Sequence, residues 1–344
     1  MSRVFLSIVI LLSLLEAFPQ SQVRESKSLD KRAKRIEWRV RPFTDLYFFV
    51  YKRSNPAAEP VDIEGFPRAV AAAREVSLYS TSIELVAFQS ENATQAEKAF
   101  AQFPETYKLK TGQDIRLREK AVSLAQSLAP IEKPFLEKIW PQHKRLIEEA
   151  IAKVELTFGP KEQECFDYFI RHLGMEKSEL VVPVYVVAEA SPGAFTLWGK
   201  DEKRGVCVIS ITALQGSYLI DAILHESIHA LDLETKGEGN VIVELQRRLL
   251  KAGFAADDLV VRHGPHMLVF IQSVETVRRH IDPTYEPYDK GVFIRPAIAP
   301  LLKVERPIWT SYLDGKISRD EALNKMVDAF VKARNDDASR KGGL

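Results

Sequence analysis

Two histidines and a glutamate in the segment His225-Glu226-Ser227-Ile228-His229 have the residue types and the spacing for metal chemistry. Residues four positions apart on an α-helix differ by about 40° around its axis, so His225 and His229 share one face. Two imidazoles placed one turn apart can both bind one tetrahedral Zn²⁺. The spacing therefore predicts a helix that carries two protein ligands of a zinc ion.

Glu226 lies about 100° around that helix from His225, which places its carboxylate beside the metal rather than on it. Zinc lowers the pKa of a bound water toward neutrality, and a neighbouring carboxylate can take the water's proton and pass it to a leaving amine. A random HExxH in a chain of this composition has a chance on the order of one per cent. The motif therefore predicts catalysis, with Glu226 as the general base.

The motif does not fix the third protein ligand, and two later carboxylates are candidates. Glu275 lies in the apolar run LVFIQSVETVRRH, where a buried carboxylate is better explained as a ligand than as a solvated charge. Glu244 precedes two arginines and fits an exposed position beside them. We therefore favour Glu275 over Glu244. Asp232, three residues after His229, is a weaker third choice and is expected instead to orient a ligand histidine.

A zinc peptidase also needs a hydrogen-bond donor for the oxyanion of the tetrahedral intermediate, commonly a tyrosine or a histidine. His266 ranks first among the candidates, ahead of His263, Tyr285 and Tyr288. His266 and Glu275 are nine residues apart, which is about 180° around a regular helix. The two side chains are therefore expected to face one site together only if the first turn of their helix is irregular.

A helix with HExxH, preceded by a β-rich segment and followed by a Glu on a later helix, resembles the zincin metallopeptidases, and within them the gluzincins. The resemblance covers residues 206–280. It implies that the motif histidines and Glu275 bind zinc, that Glu226 is the base, and that the strand at 206–211 pairs with an extended substrate. The best-known gluzincins carry an Asp four residues after their third ligand, where this chain has Arg279.

Hydrophobic spacing predicts the elements that position these residues. Apolar residues at three- and four-residue spacing predict helices at 70–78, 96–103, 115–128, 135–154, 217–233, 241–252, 264–280 and 318–333. β-branched runs predict strands within 36–51, at 180–187 and at 205–211. Helices followed by strands and then the motif helix favour an α+β fold with a zincin-like catalytic domain after a largely helical N-terminal region.

The N-terminus resembles a signal peptide, because Arg3 precedes the apolar run 4–15, which is too short to span a bilayer. We expect a signal peptide at 1–20, a flexible leader at 21–35, a mostly helical region at 36–175 and the metallopeptidase domain at 176–335. The protein is accordingly expected to be secreted or periplasmic, with no stable membrane span after cleavage.

The composition favours a globular protein and gives no sign of a nucleic-acid partner. Of the 344 residues 46% are hydrophobic, and the formal net charge is only +1, so no basic field is available to attract nucleic acid. Two cysteines, Cys165 and Cys207, do not make a disulfide framework. The expected partner is a peptide or protein substrate. Two alternatives stay open: a non-catalytic module with a structural zinc, and a zinc hydrolase of a non-peptide amide.

Overall fold

The structure is a computed structural model that describes residues 34–54, 61–76, 80–108, 114–175, 181–190, 192–197, 205–212, 215–232, 240–288 and 291–341. Its helices are α1 (Pro42–Arg53), α2 (Phe66–Val76), α3 (Ser80–Gln89), α4 (Ala93–Phe100), α5 (Leu117–Lys138), α6 (Trp140–Thr157), α7 (Glu162–Leu173), α8 (Ser217–Asp232), α9 (Val241–Lys251), α10 (Leu259–His280), α11 (Ala299–Leu313) and α12 (Arg319–Lys341). Its strands are β1 (Ile36–Arg39), β2 (Tyr107–Lys108), β3 (Asp114–Ile115), β4 (Val182–Val187), β5 (Ala194–Leu197) and β6 (Val206–Ser210). The α+β class predicted from the sequence is confirmed.

The chain divides into two compact units, each built from two stretches of sequence. The first unit comprises Met1–Lys153 and Val182–Gln215, and the second comprises Val154–Val181 and Gly216–Leu344. The strands β4 to β6 thus belong to the first unit, whereas the motif helix α8 belongs to the second. This division differs from the boundary at 175/176 that the order of predicted elements indicates.

The first unit contains a four-stranded sheet in the order β1-β4-β6-β5. β1 and β6 both run parallel to β4, and β5 runs antiparallel to β6. Every residue of β4 and of β6 is buried, as expected of β-branched runs that are covered on both faces of a sheet. The strands predicted at 180–187 and 205–211 are confirmed. The strand β5 was not predicted, because it lies in a stretch rich in residues that favour turns.

The interior position of β6 contradicts one implication of the resemblance. Both edges of β6 are hydrogen-bonded, to β4 on one side and to β5 on the other. An added strand needs free backbone N–H and C=O groups along an edge, and β6 has none to offer. The expectation that residues 206–211 pair with an extended substrate is therefore wrong.

Helix α1 occupies most of a segment in which the sequence indicates a strand. Only Ile36–Arg39 of the range 36–51 is extended, and Pro42 then begins α1 at a position that suits proline. Eight consecutive residues of α1 are buried, so its continuous apolar sequence has no 3.6-residue period to reveal the helix. In α5, Pro130 and Pro134 lie inside the helix instead of marking its ends.

The second unit is helical around α10, which packs against α7, α8, α9 and α11. Because helices cover it on several sides, α10 is buried at most positions from Gly264 to Val277. It begins at Leu259, five residues before the predicted start, and Pro265 lies within it. At the start of α12, the Glu321 backbone N–H donates to Ser318 Oγ at 3.1 Å, which caps the helix.

No described helix combines the length and the apolar character that crossing a membrane requires. Cys165 and Cys207 are both buried, and they do not form a disulfide. The expected signal peptide and most of the expected leader lie outside the described residues.

Candidate metal centre

Three imidazoles converge in the second unit. His225 and His229 come from neighbouring turns of α8, and His266 comes from the second turn of α10. His225 Nε2 lies 3.1 Å from His229 Nε2 and 3.3 Å from His266 Nε2, and all three ligand atoms lie within 4.8 Å of one another. Tetrahedral zinc with Zn–N bonds of 2.0–2.1 Å separates its nitrogens by about 3.3 Å. The three histidines therefore form a cluster that could hold a metal ion.

Burial keeps these histidines in the form that binds metals. His225 is 5% exposed, and burial is the largest cause that lowers the pKa of each imidazole. The pKa of His225 falls well below its usual range, that of His229 falls to about 3, and that of His266 falls to about 4. All three rings are thus neutral at pH 7, and only a neutral imidazole has a lone pair to give to a cation.

An aromatic ring holds His225 from one side. Phe270, one turn after His266 on α10, stacks on the His225 ring with centroids 3.9 Å apart, and lies 4.8 Å from the His266 ring. Phe293 backs Phe270 in an edge-on contact at 5.2 Å. These contacts restrict the rotation of His225 and direct its Nε2 into the cluster, so little ordering is left for a metal to impose.

Glu226 follows the first histidine of the cluster and is 6% exposed. Its place on α8 is the one that the motif predicts for a general base, about 100° from His225 around the helix axis.

Glu275 has two arginine partners in the structure. Its carboxylate oxygens pair with Arg278 Nη1 at 3.3 Å and Arg279 Nε at 3.5 Å, on the next turn of α10. These ion pairs neutralise the buried carboxylate, which removes the argument that only a metal could account for it. His266, nine residues away and about 180° around the helix, joins the motif histidines instead. Among the described residues, no metal-binding group includes Glu275.

Two further candidates are not part of the histidine cluster among the described residues: the alternative ligand Glu244 and the orienting residue Asp232. Glu244 receives hydrogen bonds from Arg247 and Arg248, which lower the pKa of its carboxyl to about 2. Glu244 thus forms a surface ion pair with these two arginines, as their adjacent positions in the sequence indicate. Asp232 is the last residue of α8, and its side chain lies outside the described residues.

The remaining candidate oxyanion donors have other surroundings. Tyr285 donates its hydroxyl to Asp221 Oδ2 at 2.8 Å. The Arg306 guanidinium lies over the Tyr288 ring, 3.7 Å from its centroid, and burial raises the pKa of the Tyr288 hydroxyl far above its ordinary value. The nearby charge of His263 contributes to the lowered pKa of His266.

Asp221 lies close to the histidine cluster, and the sequence interpretation did not identify it. It lies one turn before His225 on α8, is 4% exposed, and accepts the Tyr285 hydroxyl. Burial raises the pKa of its carboxyl to about 7, against the opposing effect of hydrogen bonds from Ser273 and Tyr285. The signal was available, because Asp221, His225 and His229 repeat at the four-residue spacing that brings side chains to one helix face.

Comparisons of this chain with protein-family models, with curated proteins and with solved structures found no match.

Proposed function

We propose that this protein is a zinc-dependent peptidase in which His225, His229 and His266 hold the metal and Glu226 is the general base. The observation that carries the proposal is the convergence of three neutral imidazoles next to a buried glutamate in the order HExxH. Three protein nitrogens leave the fourth tetrahedral position open, which is the arrangement of catalytic zinc sites; structural sites have four protein ligands.

The donor set suits zinc in particular. Imidazole nitrogen is a good ligand for zinc, and it is a poor one for calcium or magnesium, which prefer oxygen. When bound, the metal would polarise a substrate carbonyl and make a water molecule acidic near neutral pH. His225 is held ready for this by the Phe270 ring, and the neutral state of all three imidazoles spares the site a proton loss on binding.

Glu226 supplies the proton transfer in the proposed reaction. Its carboxylate accepts a proton from the attacking water and then gives that proton to the nitrogen of the leaving amine. A side chain that both accepts and donates a proton must be close to both atoms, and a residue adjacent to a ligand histidine satisfies this condition. The helix geometry of HExxH therefore supports one carboxylate in both roles.

The proposed fold relationship is to the zincins, with one change from the sequence interpretation. The motif helix and the base fit that group, whereas the third ligand is assigned to His266 in place of Glu275. His266 in turn leaves the oxyanion role for which it ranked first. The apolar run 4–15 supports the further proposal that the protein acts outside the cytoplasm.

The decisive experiment compares wild type with Glu226→Gln for bound zinc and for cleavage of an unbiased peptide library. Glutamine keeps the size of the side chain and cannot accept the proton, so the variant should keep stoichiometric zinc and lose about 10²-fold or more of the hydrolysis rate. Glu244→Gln is the matched control, because its ion pair lies on the protein surface, and it should keep both properties.

Other outcomes would lead to the alternatives. Stoichiometric zinc in a wild type that cleaves no peptide would contradict a peptidase and favour a non-catalytic zinc module. Hydrolysis of small amides without cleavage of peptides would favour a zinc amidohydrolase. An equal rate in Glu226→Gln and wild type would remove Glu226 from the reaction.

A further inference from the structure

Glu305 on α11 has a carboxyl group that makes no hydrogen bond with any described residue. The residue is 0% exposed, and neither Oε1 nor Oε2 has a hydrogen-bond partner among the described residues. Burial alone raises the pKa of this carboxyl well above its ordinary value of 4.5. An ionised carboxylate without a partner is far too costly to bury, so Glu305 is a neutral acid. A neutral carboxylic acid has one O–H to donate and needs an acceptor.

The side chain of Glu305 lies against the backbone of α10. A Cβ atom placed on Gly264 would be 3.0 Å from Glu305 Oε1, and 3.9 Å from the side chain of Leu249 on α9. Gly264 has no side chain, so the carboxyl group reaches the helix backbone itself. Gly264 is two residues before His266, in the same turn of α10.

The same turn contains a backbone carbonyl that lacks its helical donor. In an α-helix the carbonyl of residue i accepts from the N–H of residue i+4, and the residue four positions after Val261 is Pro265, which has no N–H. A helix carbonyl also lies close to side-chain atoms three and four residues further on, as the back-bonding of serine and threonine demonstrates. The Val261 carbonyl therefore lies on the part of α10 that Gly264 opens to Glu305.

We propose that Glu305 is a positioning residue whose neutral carboxyl donates a hydrogen bond to the Val261 carbonyl and so fixes the turn of α10 that presents His266. The link to metal binding rests on the proposed function, because it needs His266 as a ligand. The hydrogen bond itself does not. One side chain from α11 thereby replaces the donor that Pro265 removes, and the proline stays compatible with a helix that must hold a ligand in place.

The first test compares Glu305→Gln with Glu305→Met in the full-length protein. Glutamine keeps the size and provides an amide N–H donor, whereas methionine fills the volume without a donor. Zinc affinity, measured by competition with a chelator, should stay within about threefold in Glu305→Gln and fall about 10- to 100-fold in Glu305→Met. Equal affinity in both variants, whether retained or lost, would overturn the proposal. At about pH 9, where the Asp221 and Glu84 carboxyls with pKa values of about 7 are ionised, the infrared band of a protonated carboxylic acid should be weaker in Glu305→Gln than in wild type.

The second test is a double-mutant cycle with Pro265→Ala, read as the melting temperature of the metal-free protein. Alanine restores the N–H at position 265 and gives the Val261 carbonyl its helical donor. Glu305→Met should therefore lower the melting temperature much less in the Pro265→Ala background than in wild type. An equal decrease in both backgrounds would contradict the hydrogen bond. Because this readout needs no metal, it distinguishes failure of this inference from failure of the zinc site.

Discussion

At the scale of single residues, burial shifts the pKa of several ionisable side chains in and near the histidine cluster. It keeps His225 and His266 neutral by lowering the pKa of each imidazole, and it raises the pKa of the Asp221 carboxyl to about 7. Glu275 is buried as well, yet its carboxylate oxygens are already paired with Arg278 and Arg279. The neighbours of a buried group thus decide whether it can bind a cation, and the amount of burial does not.

The assignment of the third ligand predicts a difference between two histidines of α10. His266→Ala should lower zinc affinity by several orders of magnitude because one of three ligands is lost, and His263→Ala should leave it close to that of wild type. Equilibrium dialysis with zinc analysis measures both variants. Glu275→Gln should also retain zinc, and loss of zinc from this variant alone would return the third position to Glu275.

The raised pKa of the buried Glu84 carboxyl predicts how the free energy of unfolding changes with pH. Burial raises the pKa of Glu84 to about 7 from its ordinary 4.5. In the unfolded chain this carboxyl ionises above about pH 4.5, whereas in the folded protein it stays protonated until about pH 7. Its contribution is therefore present below pH 4.5 and is lost as the pH rises through 7, by on the order of 3 kcal/mol.

Urea unfolding of wild type and Glu84→Gln at about pH 5 and about pH 8 measures this contribution. The glutamine variant should lose less stability than wild type over that interval, because its amide does not ionise. Glu91→Gln, at an exposed position just after the same helix, is the control and should follow wild type. Parallel pH profiles for wild type and Glu84→Gln would count against the predicted effect.

At the scale of elements, the histidine cluster depends on how α8 is held beside α10. The segment that follows α10 contacts α8 at two positions: Tyr285 donates to Asp221, and Ser217 Oγ donates to Asp282 Oδ2 at 2.9 Å. The first contact lies one turn before His225, and the second lies at the start of α8. Both contacts fix the motif helix through side chains that come after the helix carrying His266.

Removing the buried contact should destabilise the protein more than removing the exposed one. Tyr285→Phe deletes one hydroxyl and removes one of the donors to the buried Asp221 carboxyl, which should cost about 1–3 kcal/mol. Ser217→Ala deletes a hydroxyl at a solvent-accessible position, where water replaces the bond, and should cost less than about 1 kcal/mol. Denaturant unfolding ranks the two variants, and the reverse order would show that the Asp221 contact does not support α8.

At the scale of the whole molecule, the three proposed ligands all belong to one of the two compact units. His225 and His266 are 41 residues apart in the chain, and α8 and α10 bring them together. A ligand that binds only the folded form stabilises it by mass action. A metal that needs all three histidines therefore couples its own binding to the folding of the second unit.

Zinc should consequently raise the melting temperature of the protein. At a free zinc concentration of about 100 times Kd the stabilisation is about 2.7 kcal/mol. Differential scanning fluorimetry with a zinc buffer, and then with excess chelator, measures the shift and its reversal. His266→Ala should abolish the shift, and magnesium should not reproduce it because imidazole is a poor ligand for magnesium. A shift of equal size in His266→Ala would place the zinc elsewhere.

Local geometry made part of the site predictable from the sequence. The 3.6-residue helical period alone places His225 and His229 on one face and Glu226 beside them. The helix that this arrangement requires is α8. The same periodicity identified α9, and the Ser318 cap identified the start of α12. The sequence did not indicate the helix α1, because its residues are buried on all sides and its apolar residues therefore show no 3.6-residue period.

The third imidazole could not be read from the sequence, because it depends on which face of α10 meets α8. His266 and Glu275 lie on opposite faces of one helix, so a single choice of packing selects one of them and excludes the other. That choice is made by long-range contacts among α7, α8, α9, α10 and α11. The sequence by itself therefore determined that the two motif histidines share a helix face and that Glu226 lies beside them. Only the tertiary structure decided that His266 completes the cluster and that Arg278 and Arg279 neutralise Glu275.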